Sequence, residues 1–189
     1  MADQLYLSYW LRGFTEFNML RHFGTVLRTF PFSRLSPGLI LRAHAISFNE
    51  PALLEQQFAE PFEWEDVLAA ARHHRSPDAG FQVEAHWDIW QHEKEWKLTP
   101  ARIWLYAFGP QFERERDEHL RIDFGLDYHF LPQPDIPGSP RIVQSNIRSL
   151  LSLVHDLDDA LGADRRQLWS ESGENFADRL KTALTEVGA

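Results

Sequence analysis

Cysteine is missing from the 189-residue sequence. Disulfides, thiolate nucleophiles, zinc–thiolate sites and iron–sulfur clusters are excluded together. No window approaches the ~20 consecutive apolar residues that a bilayer-crossing helix needs. The opening Met1-Ala2-Asp3-Gln4 has no basic stretch leading into an apolar run, so no secretory leader is expected and a cytoplasmic location follows by default. Basic residues are scarce: 19 Lys and Arg stand against 28 Asp and Glu, for a formal net charge of -9. That field repels a phosphate backbone and an anionic lipid surface, so neither nucleic acid nor a membrane is expected as a partner.

Catalytic signatures are also lacking. Asp123-Phe124-Gly125 matches a kinase magnesium-binding tripeptide, but no glycine-rich loop or catalytic-loop pattern accompanies it. His92-Glu93-Lys94-Glu95-Trp96 begins like a zinc-protease helix, yet Trp96 stands where the second histidine would have to share the metal. Ser170-Glu171-Ser172-Gly173 lacks the glycine of a nucleophile elbow, and no phosphate-binding glycine loop occurs. Neither a metal nor a cofactor is expected.

Aromatic residues, by contrast, are abundant. They make up 13% of a chain that is 43% hydrophobic and 25% charged, values of a folded protein with rings to spare for a surface site. The length fits one domain over residues 1–189, with no repeat and no linker.

Alternation predicts strands at residues 5–11, 39–48, 81–90, 101–108 and 120–130. Helical periodicity predicts a first helix capped by Thr15, with Gly24 letting it approach a sheet closely. Further helices are expected at 47–58, 64–74, 140–161 and 172–187. The resulting order is β-α-β-α-β-β-β-α-α. It suggests an α+β two-layer sandwich: a mostly antiparallel five-stranded sheet with helices on one face, ferredoxin-like with an added strand. In helix 140–161 the stripe Ile147, Leu150, Leu151, Val154, Leu157 and Leu161 should face the sheet, with Asp156 opposite.

If the apolar strand faces meet the helices, the opposite face collects Arg42 or His44, Glu84, His86, Asp88, Arg102, Trp104, Tyr106, Arg121, Asp123, Asp127 and His129. Such a face could hold a small polar ligand or a metal. A solvated face with cross-strand ion pairs explains the same pattern. His73 and His74 sit where a cation favours a helix C-terminus, and Asp156, Asp158 and Asp159 where the helix dipole disfavours negative charge.

With surplus rings, an acidic surface and no catalytic motif, the leading expectation is a non-enzymatic module that binds another protein. Trp10, Trp90, Trp96 and Trp104 are its candidate contact rings. One alternative is a small-molecule or metal-assisted enzyme using His44, His86, Asp88, Asp123 and His129. Another is a homodimer built on the exposed aromatics.

Overall fold

The computed structural model describes residues 2–172 and 176–187. Seven strands form one sheet: β1 (Gln4–Trp10), β2 (Leu39–Ala45), β3 (Leu54–Phe58), β4 (Ala79–His92), β5 (Trp96–Phe108), β6 (Leu120–Leu126) and β7 (Arg165–Ser170). Four helices accompany them: α1 (Met19–Thr29) between β1 and β2, α2 (Trp64–Arg72) between β3 and β4, α3 (Ser139–Leu161) between β6 and β7, and α4 (Phe176–Val187) after β7. The strands lie in the order β3-β2-β4-β5-β6-β1-β7, and every neighbouring pair is antiparallel. No helix among the described residues is long and apolar enough to cross a membrane.

The class is α+β, but the five-stranded, ferredoxin-like expectation is wrong. The sheet has seven strands, and β1 and β2 are separated by β4, β5 and β6. Strand β3 occupies a segment whose Ser47, Glu50 and Pro51 suggested a helix start. Instead Ser47 N–H donates to Ala45 O (2.8 Å) and Leu53 N–H to Ala43 O (2.8 Å), which returns the chain as a hairpin. Strand β7, Arg-Arg-Gln-Leu-Trp-Ser, carries no alternation to betray it and forms by pairing with β1.

Other boundaries moved for local reasons. Thr15 and Asn18 close a turn, with Thr15 N–H donating to Asn18 Oδ1 (2.9 Å), so α1 begins at Met19. The charged segment after Trp90 continues the β4–β5 ladder as far as His92 and Trp96. Gly125 takes φ +74°, β6 stops at Leu126, and Asp127–Phe130 becomes a 3-10 turn. The last helix, expected from Ser172, is seen from Phe176, and Ser172 lies in a turn. Residues 173–175 and the side chains of the stripe residues Leu184 and Val187 lie outside what is described.

The core follows from the pleat. Register aligns Leu41, Val83, Leu105, Ile122, Leu7 and Leu168 in one row across six strands, all buried. Because side chains alternate across a strand, every second residue joins this face. Phe23, Val26 and Leu27 of α1, Val67 and Leu68 of α2, and Phe176 and Leu180 of α4 belong to the same core. A Cβ on Gly24 would lie 2.8 Å from Leu68 Cδ1, so this glycine permits close approach to α2 rather than to the sheet. Buried Asn146 on α3 clamps the layers: its Oδ1 accepts from Trp90 N–H (2.9 Å), and its Nδ2 donates to Trp90 O and His129 O (2.8 Å each).

On α3 the buried apolar positions are Val143, Ile147, Leu150, Leu153, Val154, Leu157 and Leu161, whereas Leu151 is 45% exposed. Leu151 sits one residue past the stripe and rotates about 100° away from Leu150, so its assignment to the inner face fails. Leu150→Ala should therefore cost about 2–5 kcal/mol. Leu151→Ala and Asp156→Asn should each stay within about 1 kcal/mol. Melting temperatures of the three variants check this ordering.

Candidate functional site on the open face of the sheet

The pleat that buries one row presents the next row on the helix-free side. There register places Ile40, Glu84, Trp104, Asp123, Tyr6 and Trp169 side by side. The neighbouring row contains Glu55, Arg42, Gln82, Tyr106, Arg121 and Ser8. Arg42 donates to Glu55 (2.6 Å) and Glu84 (2.8 Å), and Arg102 lies 3.4 Å from Glu84. Five expected site residues, Glu84, Arg102, Trp104, Arg121 and Asp123, thus share one part of the face. Burial raises the Asp123 carboxyl above its ordinary pKa, opposed by the Gly125 N–H it accepts and by Arg121.

Of the remaining five, His86 lies across the β4–β5 ladder from Arg102, whereas His44, Asp88, Asp127 and His129 are held elsewhere. His44 is buried, with Nδ1 2.9 Å from Glu50 O, and braces the β2–β3 hairpin. Asp88 accepts from Ser33 Oγ and from Arg34 N–H (2.9 Å), which anchors the loop before β2. His86 lies 3.5 Å from Ser36 Oγ, at the outer limit for a hydrogen bond, and borders a groove of about 400 Å³ beside Glu84. Asp127 and His129 leave the face because β6 has already ended. Asp127 is buried and accepts from Asp3 N–H (3.1 Å) and Arg179 Nη1 (2.8 Å). Burial pushes the His129 imidazole down to about 4. Among the described residues no three His, Asp or Glu side chains are grouped so as to hold a metal.

The best-built part of the face was not legible as a site. The loop after β5, residues 109–119, folds back over the sheet. Phe112 from this loop and Phe48 from the β2–β3 hairpin pack with Tyr106 and Phe108. Gly80 leaves the space they need, since a Cβ there would lie 2.5 Å from the Phe112 ring. The Arg121 guanidinium sits 4.8 Å from the Tyr106 ring centre, 5.2 Å from Phe108 and 5.4 Å from Tyr6. Its Nη1 is 3.2 Å from Oε1 of Glu118, which is fully buried. Arg116 stands 3.6 Å over Trp169, whose Nε1 donates to Ser8 Oγ (3.0 Å).

These rings belong to a small second core, separate from the one under the helices. Surplus aromatics at polar-face positions were its one signal in the sequence. At the last residue of the loop, Leu11 N–H donates to His119 Nδ1 (2.8 Å), and the imidazole stacks at 4.3 Å on Phe14, which packs against the main core. Burial first, then the positive charges of Arg114 and His22, hold His119 down to about 4.

Comparison with models of known protein families, with curated proteins and with solved structures finds no match.

Two outcomes follow from this geometry. Glu118→Leu leaves Arg121 without its buried counter-charge and should cost about 3 kcal/mol in denaturant unfolding. Glu115→Gln, at an exposed position of the same loop, should cost no more than about 0.5 kcal/mol. His119 and His129 titrate in the fold near 4, below the ordinary 6.5, so the unfolded chain takes up protons first as pH falls. Their stabilisation is complete above 6.5 and lost between 6.5 and about 4. The melting temperature should be lower at pH 5 than at pH 7. The double variant His119→Asn, His129→Gln should flatten that slope, which calorimetry across this range measures.

Proposed function

We propose that this chain is a non-enzymatic binding module that engages another protein through the open face of its sheet. One observation carries the reading. The helix-free face has at its centre Trp104, half-buried in register between Glu84 and Asp123, with exposed Arg102 alongside. Tryptophan, tyrosine and arginine are the side chains on which protein interfaces concentrate their energy, and a rim of charge suits such a centre. Trp10, under Arg165 at 4.3 Å, extends the surface along β1. Trp90 is 37% exposed at the end of β4, and Trp96 donates from Nε1 to Pro137 O (3.0 Å). Neither shares the centre of the face. The 189 residues are read as one domain because all four helices pack against one sheet.

The enzyme alternative has weaker support. The side chains of His44 and Asp88 each hold a different loop, and His129 lies beyond the end of β6, so the three do not meet one another.

A photo-reactive phenylalanine analogue at position 104, introduced in the source cell, tests the proposal. A discrete hetero-adduct is expected that is absent when the analogue replaces Leu151 on the helix side, and that disappears with Arg102→Glu. Light scattering on the pure protein should give the monomer mass. A dimer mass that Trp104→Ala returns to monomer would overturn the hetero-partner reading in favour of self-association.

A further inference from the structure

Three irregularities coincide at the end of the open face where the β2–β3 hairpin meets the loop 109–119. The buried side-chain polar atoms unpaired within the protein, among the described residues, are Arg114 Nε, Glu118 Oε2 and Arg121 Nε. Among the described residues the non-glycine positions with left-handed backbone are Ile46 (φ 72°) and Asp117 (φ 55°), one in each loop. A cavity of about 260 Å³ lies between the loops.

Ile46 is β-branched, which makes its conformation a genuine outlier. Two bonds impose it: Ile46 N–H donates to Asp78 O (2.8 Å), and Ile46 O accepts from Glu113 N–H (2.7 Å). Unpaired buried polar atoms and strained backbone are both destabilising, and strain of this kind clusters at binding sites.

The lining defines the ligand. Phe48 and Phe108 supply apolar walls, and Ser47 and Asn49 supply neutral polar groups. Arg114 and Arg121 face Glu113 and Glu115 around the same space. Arg114 Nη1 donates to Gly109 O and Phe112 O, and Arg121 Nη1 is paired with Glu118. Both Nε groups are buried out of a ligand's reach, which leaves the two Nη2 groups for an acceptor. A simple anion would meet two lining carboxylates, and a simple cation would meet two guanidiniums. A ligand carrying both charges on adjacent atoms satisfies both. The volume lies below the roughly 300–1,000 Å³ of drug-sized pockets, which suits one small molecule rather than a nucleotide.

We propose that this cavity binds a free α-amino acid. Its carboxylate accepts from Arg114 and Arg121, its ammonium is held by Glu113 or Glu115, and its side chain lies against Phe48 and Phe108. This site is independent of the Trp104 surface, so either proposal can fail alone.

Isothermal titration calorimetry on the whole protein decides it. The probes are the twenty common L-amino acids, their N-acetyl and carboxamide forms, acetate, methylammonium and inorganic phosphate. Saturable binding of one or a few side-chain classes is expected at millimolar affinity or better. Each blocked form should bind at least about tenfold more weakly, the equivalent of 1.4 kcal/mol per lost charge contact. Asn49→Trp, on the exposed lip of the cavity, should abolish binding with the melting temperature unchanged. Arg121→Lys, which keeps a cation beside Glu118, should weaken it. No saturable binding of any L-amino acid at millimolar concentration would overturn the proposal. So would binding that survives Asn49→Trp, or acetate or phosphate binding as tightly as the amino acid.

Discussion

A sheet with every helix on one side must hold its other side together without a second layer. Seven strands present too wide a surface for ion pairs alone, because exposed pairs contribute only about 0–1 kcal/mol each. The chain meets the constraint by covering one end of that surface with its own loops. Phe48 packs edge-on against Tyr106 and Phe112 packs at a tilt against Phe108, and guanidinium groups are layered onto other rings of the face. Arg121, Arg116 and Arg165 cover Tyr6, Trp169 and Trp10. Arginine suits this use better than lysine. Its planar group stacks on a ring, is weakly hydrated, and still has donors left at its edge. Lys94, Lys97 and Lys181 are the lysines of the sequence, and none lies on this face.

The two faces consequently behave as different materials. The helix-covered side is aliphatic and aromatic packing, with Asn146 as a polar clamp between α3 and the end of β4. The open side grades from a dry aromatic end around Phe108 to a half-wet centre around Trp104 and a wetter margin at Arg42, Glu55 and Glu84. Acidic groups on it stand beside arginines: Arg42 and Arg102 meet Glu55 and Glu84, and Arg121 lies near Asp123. Recognition by this face would depend on short-range fit more than on long-range attraction.

What the sequence revealed depended on whether a residue's neighbours are near in the chain. Alternation in β1, β4, β5 and β6 is local, and it placed Glu84, Arg102, Trp104, Arg121 and Asp123 on the correct side. Extending the same parity through Gly125 carried Asp127 and His129 onto a face the chain had already left, because a left-handed glycine ends the pleat. Strands β3 and β7 owe their state to partners, Leu39–Ala45 and Gln4–Trp10, so their own residues could not announce it. The loop residues Phe48, Phe112 and Glu118 gained their role only when the loop 109–119 folded back. The stripe on α3 was read one residue too wide at Leu151, where the apolar arc of a helix ends and a leucine can sit on either side of it.

Among the described residues the sheet ends on two outer strands, β3 and β7. Unpaired backbone along such margins is a template on which further chains can grow into fibres. Here β3 is only five residues long and carries Glu55, while β7 begins with Arg165 and Arg166. Shortness at one border and paired like charges at the other oppose the addition of a further strand from another copy. The molecule can therefore leave a broad aromatic face uncovered at little risk of polymerising through its rims.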